Sequence, residues 1–208
     1  MPRGRFITVE GIEGVGKSTN LDYVAGLVES GGYRVVKTRE PGGTPMAESI
    51  REMLLEHGHE PVPDLAELLL FFAARALHLH NVIRPALERG EWVICDRFTD
   101  ASRAYQGAGR GLDLAMIDTL ARWVHDGLEP DLTILLDAPA ELGMARAGAR
   151  GKTDRLESEQ ASFYARVRDG YLALAKKEPQ RFCVVDASRP LAEVQAAIAS
   201  AVAELSSK

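Results

Sequence analysis

The chain has 208 residues, 30 of them acidic and 25 basic, for a net charge of −5, and it lacks the broad positive surface that general nucleic-acid binding needs. No apolar run approaches the ~18 residues of a membrane span, and MPRGRFITVEG is too short for a signal segment. The two cysteines, Cys95 and Cys183, lie inside the apolar runs WVICD and FCVVD, where a small buried thiol is usual and a disulfide or metal pair is not, so a reducing, cytoplasmic setting without membrane or nucleic-acid partners is expected.

A chain of this size buries roughly 70% of its unfolded surface as one domain. Phe6, Ile7 and Val9 form a short apolar strand that runs into glycines, and Ser18 to Glu29 reads as the helix behind them. Between the two, Gly11-Ile12-Glu13-Gly14-Val15-Gly16-Lys17-Ser18 fits G-x-x-x-x-G-K-[ST]. This is the P-loop, whose backbone N–H groups cradle phosphates, whose lysine reaches the β and γ oxygens and whose hydroxyl ligates Mg²⁺. A strand before and a helix after supply the context the motif requires.

Tyr33 to Thr38 is a second strand, and Arg39-Glu40-Pro41-Gly42-Gly43-Thr44 breaks regular structure. Thr44-Pro45 caps a helix over Met46 to Glu56. His57 to Pro63 is a polar connector and candidate hinge, with His57 and His59 read as solvated because no further ligand stands beside them. Asp64 to Arg89 is the longest helical stretch and is apolar nearly all round, which marks burial on most sides. Arg75 in its middle must find a partner, since an unpaired buried charge costs several kcal/mol, and Phe71 lies one turn before it on the same face.

Glu91 to Asp96 is the third strand, ending in an acidic residue placed to hold Mg²⁺ or its waters. Phe98 to Gln106 reads as helix, Gly107 to Gly111 as loop, Asp113 to Gly127 as helix, Asp131 to Asp137 as the fourth strand and Pro139 to Ala149 as helix. A basic segment follows, with Arg146, Arg150, Lys152 and Arg155, and residues 147–157 of it are the candidate lid. Ser158 to Lys177 is a helix, Arg181 to Asp186 the fifth strand and Pro190 to Leu205 the closing helix. Five apolar strands alternating with helices predict a single α/β domain with a three-layer, parallel five-stranded P-loop sheet, its ligands at the carboxyl ends of the strands.

A GTP switch needs N-K-x-D for guanine, and the nearest match, Gly151-Lys152-Thr153-Asp154, lacks the Asn and does not follow a strand. A motor ATPase needs a longer chain. A small kinase remains, and at this point a resemblance enters. Glu10 to Thr19, Thr38-Arg-Glu-Pro-Gly-Gly-Thr44, Phe71-Phe-Ala-Ala-Arg75, Asp96-Arg97, Ala104-Tyr-Gln106 and Asp186-Ala187 together resemble the bacterial branch of the thymidylate kinases across essentially the whole chain.

That resemblance implies transfer of the γ-phosphoryl group of ATP to dTMP with Mg²⁺, for dTTP synthesis, by a homodimer. It implies that Gly11, Ile12, Glu13, Gly14, Val15, Gly16, Lys17, Ser18 and Thr19 hold ATP, with Arg146 over adenine. Phe71 stacks on thymine in this reading, and Arg75 donates to a base carbonyl, which supplies the partner its buried charge needs. Ser102 and Gln106 meet the base edge, Tyr105 lies under the sugar, and Arg39, Arg51 and Arg97 converge on the dTMP phosphate. Glu13 lies near the sugar and the metal, and Ser18 and Asp96 are the metal candidates, Asp96 directly or through water. Lys17, Arg97, Arg150 and Glu13 form the catalytic set.

Two departures stand out: Ala101, where many relatives have Ser, and Gly14, where the eukaryotic branch carries Arg. The latter assigns the reach to the transferring group to Arg150. Kinases of dUMP, UMP or CMP, and an ATP-holding regulatory protein without turnover, are the competing readings.

Overall fold

A computed structural model describes residues 3–56, 61–148 and 160–207. β1 (Phe6–Glu10), β2 (Val35–Arg39), β3 (Trp92–Asp96), β4 (Leu132–Asp137) and β5 (Phe182–Asp186) form one parallel sheet in the order β2-β3-β1-β4-β5. β1 is buried along its whole length and β3 and β4 along all but their last residues, whereas the edge strands β2 and β5 are half exposed. That is why the three inner strands read as near-continuous apolar runs.

Successive residues face opposite layers. Ile7, Val9, Ile94 and Ile134 pack with Leu21, Val24 and Val28 of α1 (Lys17–Ser30) and with Val194 and Ile198 of α9 (Leu191–Ser206). Phe6, Val93 and Cys95 pack instead with Leu79, Ile83, Leu87 and Phe98. The chain crosses from β1 outward to β2, returns to β3, and then passes to β4 on the other side of β1. The order of strands therefore reverses at β1, where a ligand crevice is expected.

The long helix spans Asp64–Glu88. It comprises α3 (Asp64–His78), a π-helical stretch Leu79–Ile83 and α4 (Arg84–Glu88). It is long and apolar enough to cross a membrane, yet it packs against α2 (Pro45–Leu55) and α6 (Leu114–His125) and carries buried Glu67, Arg75 and His78. Thr44 caps α2 as the sequence predicts, its side chain accepting from Ala47 N at 3.2 Å.

One loop expectation is overturned. The glycines after Gln106 stay helical: α5 (Thr99–Ser102) runs on through a π-helical stretch, Arg103–Gly109, and only then turns. The glycines serve close approach here. A Cβ at Gly109 would stand 2.7 Å from the Phe163 ring, and one at Gly170 of α8 (Ala161–Lys177) 2.6 Å from Ala108 Cβ. Buried Asp100 fixes the other end of this segment, accepting from both Nη atoms of Arg181 at 2.6 and 2.9 Å. The segment that carries Ser102, Tyr105 and Gln106 is thereby packed on α8, with Ser102 and Gln106 meeting Arg75 and Glu67 of α3.

Candidate active site

The loop from Gly11 to Gly16 leads from β1 into α1, whose first residue is Lys17. The side chains of Ile12 and Val15 are plugged into the core, so only their backbone is free to meet a ligand, while Gly16, Ser18 and Thr19 are exposed. Lys17 is 8% exposed and donates to the carbonyls of Gly11 (3.2 Å) and Ile12 (2.8 Å), with Glu13 at 3.6 Å. Burial, and then the neighbouring Arg97 charge, lower its ammonium below the ordinary value, with Glu13 opposing. A phosphate brought to this ammonium would offer charge-assisted bonds in place of the two carbonyl contacts.

Gly14 has φ 74° and backs onto α7 (Ala140–Gly148): a Cβ there would lie 1.9 Å from the Gly143 carbonyl oxygen. No side chain fits at this position, which gives a physical reason for the absence of an arginine in the loop.

Arg97 follows β3 in the left-handed region, φ 69°, a costly conformation for a side-chain-bearing residue. The turn sends its guanidinium back under the P-loop. Nη1 donates to Gly11 O at 3.0 Å and Tyr171 Oη at 3.3 Å, and Nη2 to Glu13 and to Tyr105 Oη at 3.0 Å. The cation also lies 4.7 Å from the Tyr105 ring centre. Glu13, the aromatic hydroxyls and Asp96 together outweigh burial and hold Arg97 charged.

Two cavities meet at this guanidinium. A polar one is lined by Glu13, Gly14, Gly16 to Thr19, Arg39, Arg51, Asp96 and Arg146. A more apolar slot is lined by Phe71, Arg75, Phe98, Ala101, Ser102, Tyr105 and Gln106. Glu13, Glu40, Arg51 and Arg97 belong to both. A larger cavity of about 700 Å³ between α6 and α8 contains none of the predicted site residues.

Arg39 at the polar cavity is paired with Glu48 at 2.8 Å, and Arg51 donates to Pro41 O at 2.9 Å. Arg146 of α7 donates to Ala187 O at 3.0 Å, beyond the end of β5. Asp96 Oδ1 is buried without a partner among the described residues, in the same cavity as Ser18. An orphaned carboxylate oxygen beside a hydroxyl is an oxygen-donor pair of the kind Mg²⁺ takes when phosphates complete its shell, so these residues fit the ion.

Arg75 needs no base carbonyl to neutralise it, which corrects the sequence reading. Its Nε donates to Glu40 Oε2 at 2.6 Å, Nη1 to Ser102 Oγ at 3.2 Å and Nη2 to Phe98 O at 3.2 Å, with the Phe72 ring 4.7 Å away. Glu40 also meets His78 Nδ1 at 3.0 Å, and His78 Nε2 meets Thr38 Oγ1 at 2.7 Å. Burial alone raises the Glu40 carboxyl, but Arg75 and His78 more than offset it and hold the group below the ordinary value. Arg75 still lines the slot, as predicted.

Glu40 and Glu67 had no assigned role, although Glu67, Phe71 and Arg75 recur at four-residue spacing on one helix and could have been grouped by it. Tyr171 and Glu10 gave no local signal: they meet across 161 residues, Tyr171 Oη donating to Glu10 Oε2 at 2.6 Å. Arg150 and residues 149–157 of the predicted lid lie outside the described residues, as does most of the predicted hinge.

A phosphate cradle that shares four side chains with an apolar slot is the arrangement of a P-loop kinase acting on a small acceptor. Comparison with known proteins narrows that class. The thymidylate kinase family model matches residues 9–198. The thymidylate kinase of Methylococcus capsulatus is 58% identical over 205 residues, 99% of this chain and 98% of its own. That of Pseudomonas fluorescens is 58% identical over 195 residues, 94% and 93% respectively. The crystal structure of thymidylate kinase from Ehrlichia chaffeensis matches with a TM-score of 0.71 at 38% identity, covering 88% of this chain and 93% of that one. The chain belongs to the thymidylate kinase family, and is therefore an enzyme that phosphorylates dTMP.

Proposed function

We propose that, in moving the γ-phosphoryl group of ATP to dTMP, the chain divides the two nucleotides between its two cavities. ATP lies in the Gly11 to Thr19 cradle with Arg146 beside the adenine, and dTMP lies in the slot with thymine on Phe71, its edge toward Arg75, Ser102 and Gln106 and its sugar over Tyr105. The observation that carries this reading is the overlap at Arg97. One guanidinium is bonded to the P-loop carbonyl of Gly11 and stacked on Tyr105 of the slot, so an acceptor phosphate reaching the slot's mouth arrives where the cradle ends.

The acceptor is a phosphate monoester whose second pKa is about 6. It is largely dianionic at neutral pH and needs no general base, so the work left to the protein is to bring anions together. Lys17, Arg39, Arg51 and Arg97 supply fixed positive charge, Glu13 orients Lys17 and Arg97, and Arg150 of the lid segment reaches the transferring group. Ser18 and Asp96, the latter directly or through water, would hold Mg²⁺, which would supply positive charge to offset that of the phosphates.

The acidic, disulfide-free composition supports a cytoplasmic setting without nucleic-acid partners. Leu65 and Leu69 on α3 and Trp123 on α6 are exposed apolar side chains, available to a homodimer contact of the kind the resemblance implies. The test is a coupled ADP-release assay with Mg²⁺ and ATP across dTMP, dUMP, UMP and CMP. Preference for dTMP is expected, together with loss of turnover on chelation. ATP binding with no phosphoryl transfer to any of the four overturns the reading.

A further inference from the structure

Gln106 lines the slot and is 3% exposed; Glu67 does not line it and is 1% exposed. Gln106 Nε2 donates to Glu67 Oε1 at 3.0 Å, and Arg110 Nε donates to the same oxygen at 3.2 Å. A side-chain amide presents a donor on one side and an acceptor on the other, and rotation by half a turn exchanges them. The Glu67 carboxylate, paired with Arg110, only accepts. The reversed amide would set two oxygens against each other at this distance, so the amino side is committed to Glu67. The Gln106 oxygen has no hydrogen-bond partner among the described residues and is left for the cavity.

Across the slot, Glu40 plays the matching part for Arg75. It takes the Nε hydrogen at 2.6 Å, and the guanidinium, which has no acceptor atom, offers the slot only donors. Two carboxylates placed behind the wall thus fix the polarity of the wall: a donor from Arg75 and an acceptor from Gln106. A 4-oxo pyrimidine with N3–H offers an acceptor and then a donor along that edge, the complement of this pair. A 4-amino pyrimidine offers a donor and then an acceptor and meets like groups at both places.

We propose that Glu67 is a specificity-determining positioning residue that selects 4-oxo over 4-amino pyrimidine nucleotides by fixing the amide of Gln106. The inference rests on the slot being the base site. A fixed polar pair left unmatched by the wrong base is the device that gives large selectivity, where a merely apolar pocket gives little.

The test compares kcat/KM for dTMP and dCMP in the full-length enzyme. Glu67→Gln frees the amide to take either orientation, and the dTMP-to-dCMP ratio is expected to fall by about tenfold or more with KM for ATP unchanged. In a Gln106→Leu background the same substitution should leave the ratio where Gln106→Leu alone puts it, because there is no amide left to orient. A Glu67→Gln enzyme that loses both activities in proportion, or that shifts the ratio equally without Gln106, overturns the proposal.

Should Glu67→Gln not fold, the native protein decides through the ¹⁵N–¹H₂ signals of Gln106. One amide proton shifted downfield and protected from exchange before nucleotide is added supports the proposal, and two freely exchanging protons overturn it. Failure of the underlying slot reading looks different: Phe71→Ala and Arg75→Ala would then leave KM for dTMP unchanged.

Discussion

Arg75 and Glu40 face each other in a compartment where both are almost sealed from solvent, at 2% and 4% exposure, and the Nε to Oε2 distance is 2.6 Å. The pair neutralises a charge buried beside Phe72 and Phe98 at the wall of the slot, while Nη1 and Nη2 donate to Ser102 Oγ and Phe98 O. Breaking it from one side strands the other partner, at a cost of about 3 to 5 kcal/mol.

Arg75→Ala should therefore destabilise the fold and raise KM for dTMP while leaving KM for ATP nearly unchanged. Adding Glu40→Gln should restore part of the lost stability but none of the dTMP affinity. Urea denaturation and steady-state kinetics on the single and double variants separate the two effects. Equal weakening of both nucleotides by Arg75→Ala rejects a role in holding the base.

Arg150→Ala is expected to lower kcat by about a thousandfold or more, as loss of an arginine at the transferring phosphoryl does in related chemistry. KM for dTMP should stay close to wild type. An unchanged kcat removes Arg150 from the catalytic set.

Glu10 supplies a pH test. Burial first, and then the neighbouring Asp100 charge, push its carboxyl up to about 8 from an ordinary 4.5, against the pull of Arg97 and the hydrogen bonds from Tyr171 and Phe98. The native state thus keeps a proton that the unfolded chain gives up at lower pH. The stabilisation is complete below the unfolded value, declines as pH rises, and is gone once pH has passed about 8. Glu10→Gln imitates the protonated group, so its urea midpoint should gain on wild type between about pH 5 and about pH 8 and then level off. Midpoints that run parallel across that range refute the assignment.

Gly14→Ala places a methyl group 1.9 Å from the Gly143 carbonyl oxygen at a φ of 74°. Strain of this kind is of order 1 to 3 kcal/mol, and the loop must shift to relieve it. Raised KM for ATP and a lower melting temperature are expected, with KM for dTMP affected least. Unaltered ATP kinetics would show that the cradle is not held against α7.

The alternation of apolar strands with helices, the G-x-x-x-x-G-K-S run and the glycine breaks made the sheet and the cradle legible in the sequence, because each rests on local periodicity or backbone geometry. Phe71, Arg75 and Gln106 were legible through their motifs, and the structure brings all three to one slot. The partner of Arg75 was not, because Glu40 lies 35 residues away and its pairing depends on the packing of the loop after β2 against α3. The helical continuation through Gly107 and Gly109 was missed for the converse reason. Glycine ordinarily signals a break, and here a neighbouring helix occupies the space a side chain would have filled.

The contact of Gly14 with Gly143 also constrains how this scaffold could be re-engineered. Transplanting an arginine into the loop would drive α7 outward, and with it Arg146 and its tether to Ala187, so enlarging this position requires rebuilding a whole helix contact instead of exchanging a single side chain.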